Sequence, residues 1–410
     1  MVDQTRGLVF DAESMQDPHG FYALVRDEGP VHKAVLPMGT EAWVVTRYAE
    51  ARAALTDGRL SKDSKRSQAL LNNQATNPQT VGDSGLAEHM LSSDPPDHTR
   101  LRKLVTKEFT ARRIDGLRGR VQAISDALLD TIADGGTVDL LDVFGFPLPI
   151  TVISELLGVP EEDRHSFHLW SSTMMSVGPR GAAMAAGRAV TEYLGRLISA
   201  KRAAPSDDLL SALVKATDGG ERLSEFELTS MAFLLMVAGH ETTANLIGNG
   251  LLALLRNPDQ FAALRADRGL LPNAIEEFLR YDGPLNLATF RFTTEPIELG
   301  GVGIPADQFV MISLCAANRD PERYADPDQL GLTRESGHLA FGHGIHFCLG
   351  APLARMEAEI AFNGLLDRFT DIELAVPFAE LRWQPSTLMH GLTSLPVRLR
   401  PRSGADTASG

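Results

Sequence analysis

Cys348 is set in a sequence built for chemistry. It stands in the run Phe341-Gly342-His343-Gly344-Ile345-His346-Phe347-Cys348-Leu349-Gly350, which leads straight into Ala351-Pro352-Leu353 and a helical pattern. Proline in a first helical turn sacrifices no hydrogen bond. Free amides and the helix dipole at such a start favour a thiolate over a thiol. Gly342, Gly344 and Gly350 let the backbone turn tightly and approach something flat and bulky. A thiolate presented this way is a metal ligand or a nucleophile. The plain alternative is a small buried structural thiol.

A second polar group interrupts an apolar helix. Ser224 and Glu227 form a capping box, and the helical pattern then runs to about Arg256 and stops at Asn257-Pro258. At ~1.5 Å per residue this is a rod of roughly 45 Å or more. It is apolar almost all round, which predicts burial. At its centre stands Ala238-Gly239-His240-Glu241-Thr242-Thr243. Glycine costs about 1 kcal/mol in a helix interior, and a buried acid costs more unless paired. Ala238 and Gly239 remove bulk, so a flat ligand can pack against the backbone. Thr242 can hydrogen-bond a main-chain carbonyl and locally open the helix. Read alone, the segment is either a harmless bend or a ligand groove.

Two further pairs carry charge. His98 and Arg102 are four apart on a helix entered through Pro95-Pro96, so both project from one face and suit a carboxylate pair. Glu277 and Arg280 are three apart, within side-chain reach. Either pair in isolation is more often a solvated face.

Taken together, these motifs resemble the cytochrome P450 family. The loop fills all six fixed positions of Phe-Gly-x-Gly-x-His-x-Cys-x-Gly, the family's haem-ligand signature. The resemblance implies haem b with Cys348 as the iron ligand, and thiolate ligation favours O–O cleavage. It implies that Ala238 and Gly239 face the haem and that Thr242 hydrogen-bonds dioxygen, with Glu241 relaying protons from solvent. Phe341 and Gly350 belong to the same haem-binding loop. His98, Arg102, Arg291 and His346 match positions that bind the two haem propionates. Glu277 and Arg280 match the family's Glu-x-x-Arg motif, and Arg319 would be the third member of that structural network. Substrate-pocket walls are placed by resemblance at Met90, Leu91, Met174, Val237, Leu287, Ala288, Leu388 and Met389.

The rest of the chain must position these groups. With 43% hydrophobic residues it can bury a large core. A net charge of −14 excludes a nucleic-acid binder and argues against attachment to an anionic membrane. Two cysteines, Cys315 and Cys348, suggest no disulfide framework and fit a reducing cytoplasm. The polar start of the chain shows neither signal peptide nor membrane anchor. Strands are expected at 31–36 and 42–46 around Met38-Gly39-Thr40, and at 295–299, 309–314 and 394–400. Helices are expected at 21–27, 48–55, 118–132, 147–157, 161–175, 182–201 and 207–217. Residues 61–91 read as an irregular segment, either a solvated loop or a lid. The Gly/Pro joint at 176–181 reads as a lid hinge or an ordinary helix–helix turn.

The expected fold is mainly α: one P450 domain over residues 1–402 with small β-sheets and a buried haem, then a disordered tail at 403–410. The implied reaction inserts one oxygen atom of O2 into a C–H or C=C bond of a mainly apolar small molecule. Stretches 94–109, 147–160, 237–249 and 339–355 are similar to actinobacterial P450s that tailor polyketides, which puts a macrolide first. A steroid, terpenoid or peptide substrate, oxidative coupling, a peroxide-driven reaction and a non-catalytic haem sensor are the rivals. No flavin or iron–sulfur motif is present, so electrons come ultimately from NAD(P)H through a ferredoxin and its reductase. The ferredoxin would dock near Arg102, Arg112, Arg113 and Arg355. A cytoplasmic monomer is implied.

Overall fold

The long helix is the spine of the molecule. In the computed structural model, which describes residues 8–74, 86–175, 180–216, 222–335 and 337–402, it spans Glu225–Arg256 without a break. Its start is the expected capping box: Glu227 N–H donates to Ser224 Oγ at 3.2 Å, and Ser224 N–H to Glu227 Oε2 at 2.8 Å. It packs against helices Pro147–Leu157, Leu271–Asp282 and Ala351–Arg368. Leu246, Ile247, Leu251 and Leu254 are buried in the largest core with Phe278, Phe362 and Leu365. A second core lies towards the N-terminal half of the helix, where Met231, Ala232 and Met236 meet Ile153, Leu194 and Ile198. Gly250 allows the close crossing: a Cβ there would lie 2.8 Å from Phe278 Cδ2 and Phe362 Cζ.

A six-stranded sheet flanks the helical body, in the order Leu8–Val9, Val31–Val35, Glu41–Val45, Phe309–Ile312, Arg291–Thr293, Leu60–Ser61. Val31 pairs with Val45 in an antiparallel register, as the alternating pattern predicts. Strand Arg291–Thr293 is anchored on both sides and carries Arg291 inward. Three-stranded and two-stranded sheets complete the β structure among the described residues.

The helical expectations at 48–55, 118–132, 147–157 and 161–175 fall on helices Tyr48–Thr56, Ala111–Asp130, Pro147–Leu157 and Arg164–Met175. The irregular reading of 61–91 needs correction. Ser64–Gln74 is a helix, because Asn and Gln lower helix propensity by only tenths of a kcal/mol each. Residues 75–85, the hinge positions 176–179 and the tail 403–410 lie outside the described residues. Among the described residues, no helix is long and apolar enough to cross a membrane.

Candidate active site

The Cys loop and the middle of the long helix border one cavity, which encloses about 1440 Å³ of empty space, part of it continuous with solvent. The long helix contributes Leu235, Ala238, Gly239, Thr242, Thr243 and Leu246. Counted from Leu235, these positions step by three, four, seven, eight and eleven, so they share one face. Thr242 Oγ1 donates to the Ala238 carbonyl at 2.8 Å, the back-bond that the sequence suggests. The helix is not opened by it. Gly239 has an additional cause: a Cβ there would meet Ile153 Cγ1 at 2.8 Å, so the residue also lets helix Pro147–Leu157 approach.

On the Cys-loop side, Phe341, Gly342, His343, His346, Phe347, Cys348 and Gly350 line the same cavity. Gly342 (φ 72°) and Gly344 (φ 74°) occupy the left-handed region that glycine tolerates. A Cβ on Gly344 would also press within 2.9 Å of Thr56 Cγ2. Gly350 caps helix Ala351–Arg368 with ordinary backbone angles, and a Cβ there would make only an ordinary contact, 3.9 Å from Cys348 Sγ. Burial pushes the Cys348 thiol up, against the opposing pull of the Gly350 amide, Arg102, the Ala351 amide and Arg355. The helix start therefore does not by itself yield a thiolate; a bound cation would tip the balance.

One end of the cavity is strongly basic. Arg291 and Lys62 are buried, and both line it with Arg102 and His346. Arg291 Nε is buried without a hydrogen-bond partner. Burial lowers the Arg291 guanidinium to about 10, against the attraction of Asp94. Burial, then the charge of Arg291, drives the Lys62 ammonium well down. His346 is held down to about 2 by burial and then by Lys62, Arg291, His98 and Arg102. His98 stands behind His346, ring centroids 4.4 Å apart, and both its ring nitrogens are buried without hydrogen-bond partners. Arg102 Nη2 donates to the Phe347 carbonyl at 2.6 Å. Basic groups crowded in this number need anions to hold their charge. Two carboxylates on a flat apolar body, with a metal facing Cys348, match this donor set, so the residues fit a haem. Lys62 escaped the sequence reading because a lone lysine in an irregular stretch carries no spacing signal.

Glu241 lies elsewhere. It is buried outside the cavity wall, under helix Arg164–Met175. Ser172 Oγ donates to its Oε1 at 2.7 Å, and His240 Nε2 and His168 Nδ1 stand 3.4 and 3.8 Å from the same oxygen. Its carboxyl is lowered: burial opposes ionisation, but the neighbouring His240, the Ser172 hydrogen bond and His168 outweigh it.

Several pocket positions are corrected. Met90, Leu91 and Ala288 line the cavity; Val237, Leu287, Met174, Leu388 and Met389 do not. Val237 is one helical step from Ala238, about 100° round, and packs into the second core. Leu287 precedes Ala288 on an extended segment, pairs with Ser313 and points the opposite way. Met389 is buried opposite Leu285, which takes the place on the wall. Met174 packs on the second core, and the Leu388 carbonyl accepts from the Asn286 amide. Leu234, Leu235, Leu246, Ile153 and Thr289 are wall residues that helical facing could have suggested for the first three.

The Glu277–Arg280 pair is buried and bidentate, with contacts of 2.7 and 2.8 Å. Arg319 is not its third member. Arg334 Nε lies 3.3 Å from Glu277 Oε1, whereas Arg319 donates to the Tyr281 carbonyl at 2.8 Å and to Asp328 at 3.2 Å. The loop returning from Asn318 carries Arg319 past the pair and delivers Arg334 to it, an arrangement no short-range pattern encodes.

Comparison with known proteins agrees with this geometry. A sequence profile described as Cytochrome P450 matches residues 183–375. The chain is 52% identical over 394 residues to Cytochrome P450 107B1 of Saccharopolyspora erythraea, covering 95% of this chain and 97% of that one. It is 45% identical over 387 residues to 6-deoxyerythronolide B hydroxylase of the same organism, covering 92% and 95%. The tirandamycin C-bound P450 monooxygenase TamI superposes with a TM-score of 0.91 at 52% identity, over 96% of this chain and 100% of that one. The chain belongs to the cytochrome P450 family.

Proposed function

We propose that this cytochrome P450 monooxygenase oxidises a polyketide, a macrolide first among them, by hydroxylation or epoxidation. One observation carries the reading: Thr242 and Cys348 border a single cavity whose remaining walls are mostly apolar. The nature of the relatives named above supports the substrate class. Haem iron held by a thiolate, when bound, supplies dioxygen activation and oxygen insertion.

The chain's own groups have separable tasks. Cys348 Sγ provides the iron ligand. Lys62, Arg102, Arg291 and His346 would hold the propionates, with His98 backing His346. Ile153, Leu234, Leu235 and Leu246 exclude water and orient an apolar substrate. Thr242 keeps lone pairs free beside the groove while its proton is given to the Ala238 carbonyl. It can therefore accept a hydrogen bond from a water and hold that proton source beside the groove. Glu241 holds an ionised carboxylate one residue away, which would have to leave Ser172 and take up a proton from solvent before passing it on.

Electrons come from NAD(P)H through a ferredoxin and reductase in the cytoplasm. Of the proposed docking residues, Arg355 is already bidentate to Glu276 at 2.6 and 2.8 Å, and Arg113 pairs with Glu108. Arg102 is committed to a propionate, so Arg112 carries more of the unneutralised charge in this reading.

The test is a binding screen of the purified ferric protein against macrolides, linear polyketides, steroids and terpenoids, read by the spin-state shift of the haem band. Micromolar macrolide or polyketide binding followed by oxygenated product is expected. Shifts confined to steroids or terpenoids would refute the substrate class.

A further inference from the structure

The side chains around Glu241 form a constellation that proton transfer alone does not explain. His240 Nδ1 is 2.7 Å from the Met236 carbonyl, which can only accept, so that nitrogen carries the proton. In the neutral ring, Nε2 then presents a lone pair. It faces Glu241 Oε1 at 3.4 Å, a second acceptor, in a fully buried setting. Ser171 Oγ is 3.0 Å from Nε2, 2.9 Å from the His168 carbonyl and 3.4 Å from Glu241 Oε1, and its single proton serves one of the three. His168 Nδ1, buried without a hydrogen-bond partner, completes the group at 3.8 Å from Glu241 Oε1. Three donor atoms thus converge, all within 4.8 Å of one another.

Something positive belongs between them. A charge-assisted N–H···O bond would draw the atoms to about 2.7–2.9 Å. Donor atoms bound tetrahedrally to zinc at ~2.0–2.1 Å stand about 3.3 Å apart. The observed 3.4 and 3.8 Å are close to the second value. The supporting bonds are also those of a metal centre. The Met236 carbonyl fixes the His240 tautomer, and Ser172 Oγ holds the carboxylate at 2.7 Å. A second histidine–acid cluster provides the contrast. His19 and His390 lie 2.9 and 2.7 Å from Asp282 Oδ1, which are ordinary hydrogen bonds that satisfy one another.

We propose that His168, His240 and Glu241 form a binding site for a transition-metal dication, zinc being the best match, separate from the haem pocket. Two histidines and a carboxylate leave a fourth position for water. The ion would tie helix Arg164–Met175 to the long helix. It would also withdraw the Glu241 carboxylate from proton delivery, a consequence that rests on the role proposed for Glu241 above.

Chelator-treated holoenzyme is dialysed to equilibrium against Zn2+, and bound zinc is counted by elemental analysis. One zinc per chain is expected, with affinity at least about 100-fold lower in His168→Ala, since loss of a mere supporting partner already costs about 10–100-fold. Mg2+, which prefers oxygen ligands, should not compete. His168→Gln repeats the measurement should the alanine variant misfold, with the carbon monoxide band as the check on folding. Equal zinc binding by the wild type and both variants, or none at millimolar Zn2+, would overturn the site. NADH-driven turnover should fall as zinc binds in the wild type and not in His168→Gln. Zinc bound at His168 with turnover unchanged would uphold the site and refute the role of Glu241.

Discussion

Thr242 Oγ1 gives its proton to the Ala238 carbonyl at 2.8 Å, inside an unbroken helix and beside the cavity that holds Cys348. The bond fixes the hydroxyl without consuming its lone pairs. Thr242→Ala keeps the helix, since alanine is a better helix former. General acid–base groups contribute about 10²–10⁴-fold. Product formed per NADH should therefore fall at least about tenfold in Thr242→Ala, with peroxide appearing instead, and Thr242→Ser should restore most of it. Unchanged coupling would remove Thr242 from proton delivery.

Lys62 is buried among Arg291, His346 and Arg102, and its Nζ donates to Thr289 Oγ1. Bonds to charged groups contribute about 1.5–3 kcal/mol. Lys62→Met should speed haem transfer to excess apomyoglobin by about tenfold or more. The same change should leave the haem-free chain as stable or more stable, because it removes a buried cation. An unchanged transfer rate would show that Lys62 does not serve the propionates.

Glu357 on the helix after the Cys loop is buried, with Oε2 lacking a hydrogen-bond partner, and burial pushes its carboxyl up from 4.5 to about 8. An acid whose folded value is raised binds its proton in the folded state while the unfolded chain has lost it. Stability therefore falls as pH rises from about 4.5 towards about 8. Glu357→Gln should flatten that slope, gaining on the order of a few kcal/mol at pH 8 relative to pH 5. Urea midpoints of both proteins at the two pH values decide it, and parallel slopes would contradict the burial argument.

Arg280 donates to Glu277 twice and to the carbonyls of Asn318, Pro327 and Gln329. Removing one member of a buried pair costs about 3–5 kcal/mol. Arg280→Ala should yield little folded, haem-loaded protein. Arg319→Ala should cost about 1 kcal/mol, because its partner Asp328 is 62% exposed. Equal losses in the two variants would restore Arg319 to the central network.

The sequence by itself determined the features that depend on neighbours along the chain. The capping box at Ser224, the stop at Asn257-Pro258, the glycines at 342 and 344 and the Thr242 back-bond all follow from i to i+4 relations. So does the helix face that brings Ala238, Thr242 and Leu246 to one wall. Tertiary structure decided what depends on distant segments. It set Lys62 beside Arg291, exchanged Arg319 for Arg334 at Glu277, and turned Val237 and Leu287 away from the cavity. It also placed Glu241 against His168 and Ser172 of another helix rather than in the groove. The reason is physical. Local periodicity fixes which face a residue occupies, but a buried charge goes where a partner from elsewhere in the fold can neutralise it.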